Sequence, residues 1–461
     1  MSDLFSLLGA AARALEAQQY GLNVTGQNIA NVNTHGFARR SIVFAEVPPT
    51  DPRSAGGGVD VEAVIAARAP LIAARLFQEQ PAGTREGTIA DRLSVIQTGL
   101  GTPGASLDAS LAAFYNSHSA LAQDPTSAVA RQQVVAEGTL LARSFNDLSS
   151  RFDSARRDAD RELRQTVEQV NALAQQIAML NKGIASGSAN ADTLRDQQSV
   201  ALDSLSELID VGVIQRQDGG VDLSIGNGRA LVVGNDSFAL TATSALPLGF
   251  ASLISQGADV PTDVTSEITG GRIGGLIHVR DVLVPAYADR LDQLAYGVAT
   301  DVNNLHRGGF DLNGAPGGDF FVQPAAGAGA ARLMAVTNAV AADTSLVVAS
   351  SSSSAAGNND VARAIAALQD APMTGSPLKP VDAWGDLVYR IGADAKTAAD
   401  AQAGHEQIAQ QLETLRDQIS GVSLDEEAAM LMKFQRAYEA NARFFSAADQ
   451  SLEVLMNMVR S

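Results

Sequence analysis

The sequence predicts a mainly α-helical, rod-like multidomain protein with one small β-rich insert, and three observations carry that prediction. Both ends hold apolar residues that recur every seven positions, the pattern of helices packing along a narrow seam. A longer seam in three- and four-residue steps runs from Phe145 to Ile177 and describes one helix of about ten turns. Only between about residues 210 and 270 does the texture change to short apolar runs separated by glycine turns.

The order is therefore helical end, long helices, β insert, long helices, helical end. That order predicts a chain that goes out and comes back. Residues 1–38 and 421–461 pair as a terminal coiled coil, residues 39–209 and 271–420 form a long-helix bundle with extended segments, and residues 210–270 project as a β-rich outer domain.

In the first helix, residues 3–32, the row Leu8, Leu15, Leu22 and Ile29 is spaced by seven. It runs into Asn31-Val32-Asn33-Thr34-His35-Gly36-Phe37, where Asn and Gly suit the left-handed turn that ends a helix and Phe37 can dock on the helix it leaves. Arg40 to Phe77 reads as extended, with strand-like runs at 41–44 and 59–64 separated by Pro48-Pro49 and Gly56-Gly57-Gly58. Helical periodicity returns near Ile89, with breaks at Gly101 to Gly104 and at Asp124-Pro125. A helix over 192–208 follows the long one. Asp218-Gly219-Gly220 and Asn227-Gly228 read as hairpin turns in the β insert. A helix resumes through Ile277, Val284, Leu291, Leu294, Val298 and Leu305. Residues 308–330 read as loop, and the serine run 350–354 as a flexible surface connection. Helices over 359–369 and 380–420 lead to the last forty residues.

That final stretch carries the row Leu424, Leu431, Tyr438, Phe445, Leu452 and Val459, with a second row at Phe434, Ala448 and Leu455 interrupted by Glu427 and Asn441. Ser423 with Glu426 three positions on predicts a capping box. Asn441 is a candidate register pin, as a polar residue within a coiled-coil seam can be.

Composition narrows the function. The net charge of −18 makes nucleic acid and anionic membrane poor partners. There is no cysteine, which removes thiol catalysis and disulfides. The N-terminal stretch lacks the basic and continuous apolar regions of a secretory signal, and no apolar run is long enough for a transmembrane helix. None of the five histidines sits at metal-ligand spacing with another. The run from Asp311 starts like a calcium loop, but Ala315 and Pro316 break it. Asp425-Glu426-Glu427 at a helix start is expected to serve the dipole and the cap. No catalytic residue, metal or cofactor is predicted.

The two ends also resemble a known family. Ala30-Asn31-x-x-Thr34-x-Gly36-Phe37 after an amphipathic helix is similar to the N-terminal signature of flagellar axial proteins, the rod, hook and hook-associated proteins. Ser423-Leu424-Asp425-Glu426-Glu427-Ala428 followed by Phe434-Gln435-x-Ala437-Tyr438-x-Ala440-Asn441-Ala442-Arg443 resembles the hook-associated protein 1 family of hook–filament junction proteins. Leu194-Arg195-Asp196-Gln197, Gly274-Gly275-Leu276 and Asp311-Leu312-Asn313-Gly314 agree. The resemblance implies a structural adaptor and not an enzyme. It would be exported unfolded through the flagellar type III apparatus and held at its C-terminal region by an export chaperone. It would then assemble as a ring of copies between the hook protein and the second junction protein. The other axial proteins, hook or distal rod subunits, are the rival reading. The residues expected to carry assembly are Leu8, Leu15, Leu22, Ile29, Asn31, Asn33, Thr34, Gly36 and Phe37 at one end. At the other they are Leu424, Leu431, Phe434, Tyr438, Asn441, Phe445, Leu452, Leu455 and Val459.

Overall fold

The computed structural model describes residues 2–48, 57–101, 106–187, 190–246, 249–257 and 260–460. Pro49, Gly56 and residues 102–104, which fall in breaks named above, lie outside them. The first helix, α1, spans Ser2–Ala30. Strands β1 (Arg40–Glu46) and β2 (Val59–Ala66) pair antiparallel, with a bulge at Val43/Phe44.

Helix α2 covers Pro70–Gly99, so the extended reading of residues 70–77 is corrected. Proline fits a helix's first turn, where its missing N–H costs nothing. The periodicity is blurred further on because Gly83 and Gly87 face the returning chain. Helix α3 (Leu107–Gln123) and the 58-residue α4 (Ala128–Ala185) follow. α4 starts well before Phe145, with Ser127 as its N-cap accepting from the Ala130 amide. Helix α5 is Ala191–Leu208.

The β insert comprises two small antiparallel sheets. One is β3 (Val211–Gln215), β4 (Val221–Ile225), β5 (Arg229–Val233) and β6 (Asp236–Ser237). The other is β7 (Leu240–Ser244), β8 (Ala251–Ser255) and β9 (Thr262–Asp263). Both hairpin turns fall where the glycines stand, with Gly219 at φ 87° and Gly228 at φ 92°. Helices α6 (Gly271–His278) and α7 (Val284–Arg307) are joined without a break by a π turn, Val279–Leu283. Short helices α8 (Ala330–Leu333), α9 (Asn338–Ala342) and α10 (Asp360–Ala367) precede α11 (Pro380–Ser420) and α12 (Leu424–Arg460).

Two hydrophobic cores lie along the body. The distal core joins α2, α3, α7, α10 and the first halves of α4 and α11 around Phe114, Phe145, Phe320 and Leu291. The proximal core joins the second half of α4, α5, α6 and both β sheets around Leu163, Leu205, Leu223 and Leu253. The β insert therefore shares its core with the long helices and does not stand off as a separate outer domain. Between the cores sits a polar knot. Arg280, in the π turn and 3% exposed, donates to Asp160 on α4 at 2.6 Å and to the Ala251 carbonyl at 2.9 Å. Arg164 holds the same carboxylate, and these partners hold Asp160 below the usual carboxylate range against the burial that would raise it.

At the distal end, three buried polar side chains organise residues 308–350. Arg131 binds the Pro125 and Val347 carbonyls. Asn303 binds the backbone of Phe320 and Phe321. His306 accepts from the Val348 amide and sits 2.7 Å from the Gly318 carbonyl. The Asp311 carboxylate is used by the Asn313 and Ala315 amides, an Asx turn. The serine run is not a loose connection. Ser350 is buried and bonds Ser352 and Ala355, and Ser351 bonds Asp360. Serine hydroxyls that bond nearby backbone build turns as well as linkers.

Candidate assembly interface

α1 and α12 pair along their length. Gly21 faces the Phe434 ring and Asn28 binds Glu427. Seven residues forward on one helix match seven residues back on the other, so the pair is antiparallel. The residues of α1 buried here are small or polar: Ala11, Ala17, Gly21, Val24, Thr25 and Asn28. Small residues let helix axes approach closely. A β-carbon at position 21 would stand 2.8 Å from the Phe434 ring. Phe434, 7% exposed, also meets Phe44 of β1 edge to face, with centroids 6.3 Å apart. The β1–β2 hairpin thus lies along the pair. Gly58 abuts Ala10, and Arg13 donates to the Gly57 carbonyl at 2.9 Å.

A polar joint ties this coil to the body. Glu427 is 2% exposed and accepts from Asn28 Nδ2 at 3.0 Å and from Arg39 Nε at 2.7 Å. Asn28 also exchanges two hydrogen bonds with the Arg40 backbone, at 2.8 and 3.0 Å. Arg40 and Arg68 converge on Asp196 of α5 at 3.1 and 2.7 Å. Burial, the larger effect, leaves the Asp196 carboxyl above the usual range despite both guanidinium groups. The Arg39 amide donates to the Ser420 carbonyl at 2.9 Å, so the outgoing and returning strands are tied at the same level. Nearby, Asp203 of α5 lies 3.9 Å from both Arg416 and His35, and burial pushes it up to about 6.

The expected residues take distinct places. Leu8, Leu15, Leu22 and Ile29 are partly buried and flank the closest line of contact. Asn31 donates to the Gln27 carbonyl at 2.9 Å and receives Thr34 Oγ1 at 3.2 Å, while Asn33 is exposed. Gly36 has φ 77°, and a β-carbon there would meet Val200 at 2.5 Å. Phe37 sits under the Arg40 guanidinium, 5.1 Å from its ring centre. On α12, Phe434 is buried, and Leu431, Asn441, Phe445 and Leu452 are partly buried. Leu424, Tyr438 and Leu455 are exposed, and the Val459 side chain lies outside the described residues.

Two expectations are corrected. Glu427 does not serve the helix dipole alone, since its carboxylate is taken by Asn28 and Arg39. The capping box is half made. Ser423 Oγ accepts from the Glu426 amide at 3.5 Å, but the Glu426 carboxylate turns to Arg39 at 2.8 Å. A full guanidinium charge outcompetes a neutral backbone N–H. Sequence reasoning missed Gly21, Asn28 and Arg39. A polar residue inside each seam, Asn28 in one and Glu427 in the other, was the available signal.

Residues 93–321 match the family described as flagellar hook-associated protein FlgK helical domain. Residues 8–37 match the flagella basal body rod protein family, and 417–458 the C-terminal family of the basal body rod FlgEFG proteins. The chain is similar to flagellar hook-associated protein 1 of Bacillus subtilis, 28% identical over 503 residues and covering 99% of both chains. It is also similar to that of Escherichia coli, 26% identical over 551 residues, covering 98% of this chain and 100% of the other. The latter alignment is longer than this chain's 461 residues, so that relative carries segments absent here. Among solved structures, the flagellar hook junction protein FlgK from Burkholderia pseudomallei superposes with a TM-score of 0.67 at 16% identity, over 75% of this chain and all of the other, a likeness of fold.

Proposed function

We infer that this chain, which belongs to the flagellar hook-associated protein 1 family, is a structural component of the bacterial flagellum that joins hook to filament. The observation that carries the reading is similarity along nearly the whole chain, from the first helix through the long-helix body to the last. The terminal families alone are shared by rod proteins and leave the member open, whereas the helical-domain match lies in the body.

The mechanism is adaptor assembly. The α1·α12 coil is the assembly element, the polar joint fixes it to the body, and copies pack side by side as a ring between the hook protein and the second junction protein. Before that, the chain is secreted by the type III route, with an export chaperone on α12. The exposed Leu424, Tyr438 and Leu455 support a helix that exchanges partners. The described residues contain no helix long and apolar enough to cross a membrane. Family membership supports a structural part and no catalysis.

The test is deletion of the gene in its host, with filament protein assayed in cells and medium. Shed filament protein, with attachment restored by the full-length chain, is the expected result. Attached filaments and normal motility in the deletion strain would overturn the reading.

A further inference from the structure

Two Asn-Gly pairs stand in the chain, Asn227-Gly228 and Asn313-Gly314. An asparagine followed by glycine is open to attack by its own backbone. The next amide nitrogen can reach the side-chain Cγ, and glycine has no β-carbon to obstruct the approach. Whether the fold permits that approach differs sharply between the two sites.

At 227 nothing opposes it. Asn227 sits between two glycines in the turn that joins β4 to β5, with φ 52° at Gly226 and φ 92° at Gly228. All three residues are exposed. The Asn227 carboxamide and the Gly228 N–H have no hydrogen-bond partner among the described residues, and a β-carbon at 228 would meet nothing within 4 Å. The turn is tied instead through the Asn227 N–H, which donates to Glu267 Oε2 at 3.1 Å. That bond leaves both reacting groups free.

At 313 the same two groups are engaged. Asn313 Nδ2 donates to Ser345 Oγ at 3.1 Å, and the Gly314 N–H donates to the Asp311 carbonyl at 3.1 Å. The Asn313 N–H is held by Asp311 Oδ1 at 2.8 Å, and a β-carbon at 314 would stand 2.6 Å from the Ser353 carbonyl oxygen. Ring closure there requires the turn to open first.

We propose that Asn227 is a site of spontaneous deamidation and that the fold shields Asn313 from the same reaction. The Gly228 nitrogen bonds to Asn227 Cγ, the Cγ–Nδ2 bond breaks, and Nδ2 leaves as ammonia with the proton from the Gly228 amide. Water then opens the cyclic imide. Cleavage at Cγ gives aspartate, and cleavage at the main-chain carbonyl gives isoaspartate. The balance is amide plus water to carboxylate plus ammonium, and no other reactant is needed. The product places a new negative charge beside Glu267, which has no cationic partner among the described residues, and like charges at that distance repel. In the isoaspartate form the main chain also lengthens by a methylene. Both changes work against the Asn227–Glu267 tie, which fastens the turn to the segment leading into α6. The chemistry is independent of the junction role.

The test holds purified, folded, full-length chain at mildly alkaline pH in heavy-oxygen water. Conversion at each position is read by peptide mass mapping, with isoaspartate scored separately. Label at 227 should exceed label at 313 about tenfold, the order expected when two hydrogen bonds must open first. In urea the two positions should convert at similar rates. Equal conversion in the folded chain, or more at 313, would overturn the proposal. So would a tenfold difference that persists in urea, since its cause would then lie in the local sequence. No label at 227 over the time in which the unfolded chain converts would remove the site itself. Amide exchange at position 227 should be faster in Asn227→Asp than in the unconverted chain, and an unchanged rate would show that the tie to Glu267 survives the new charge and refute that consequence.

Discussion

The Phe434 ring closes directly over Gly21, leaving 2.8 Å for any β-carbon at that position. The seam therefore has one place where only backbone fits. Gly21→Val should force the ring aside and separate the helices locally, at a cost of about 1–3 kcal/mol. Amide exchange over residues 17–28 should accelerate while α4 stays protected. Equal protection in the variant and the wild type would show that the ring repacks without loss.

Glu427 and Arg39 predict a joint that fails as a unit. Glu427→Ala removes the acceptor for both Asn28 and Arg39 and should cost about 1.5–3 kcal/mol of coil docking, as for hydrogen bonds to charged groups. Proteolysis near residues 31–39 and 421–423 should quicken while the body remains intact. Arg39→Ala should reproduce most of the effect, and the double variant should add little to either.

Much of this was legible in the sequence. Heptads announced both terminal helices, glycine pairs announced the hairpins, and the run from Phe145 announced α4. What stayed hidden were choices made between rows. Two rows in each end could have been the seam, and the leucine-rich one is the more conspicuous. The in-chain contact uses the row that contains Gly21 and Asn28 on α1 and Glu427 on α12, since close approach favours small residues and the polar pair needs a partner. Periodicity reports that a face is apolar and not which neighbour it meets. The early start of α2 was hidden because Pro70, which fits a helix's first turn, looks in sequence like a helix breaker.

The distal cap should be acid-sensitive. Burial pushes His306 down to about 4 and His118, with His306 beside it, to about 3. The unfolded chain takes up those protons from about pH 6.5 downward, and the folded chain refuses them. Their stabilising effect is complete above about 6.5 and is lost progressively as pH falls toward those values. Urea midpoints should fall from pH 7.5 to 4.5. His118→Phe should flatten the slope by about one proton, roughly 1.4 kcal/mol per pH unit where it titrates. An unchanged slope would exclude His118 as a source.

Asp203 works in the opposite sense. Burial raises its carboxyl to about 6, Arg416 and His35 offset this in part, and Glu413 and Glu207 add to it. The folded state holds the proton more tightly, so stability is lost as pH rises from about 4 through 6. Asp203→Asn should stabilise the protein at pH 7 by roughly 1–3 kcal/mol, and the gain should vanish below pH 4. A variant less stable than wild type at pH 7 would show that the contacts to Arg416 and His35 outweigh desolvation.

The unbroken length of α4, 58 residues or about 87 Å, has a mechanical corollary. It runs through both cores beside α3, α5, α6 and α7, so a twisting load entering at one end of the body reaches the other without crossing a loop. The coil, by contrast, connects to the body through two short passages, residues 31–39 before β1 and 421–423 after α11, braced by Asn28, Arg39 and Glu427. Torque that turns the coil is carried to the body by the few side chains of that joint and by the β1–β2 hairpin packed on α1 and Phe434.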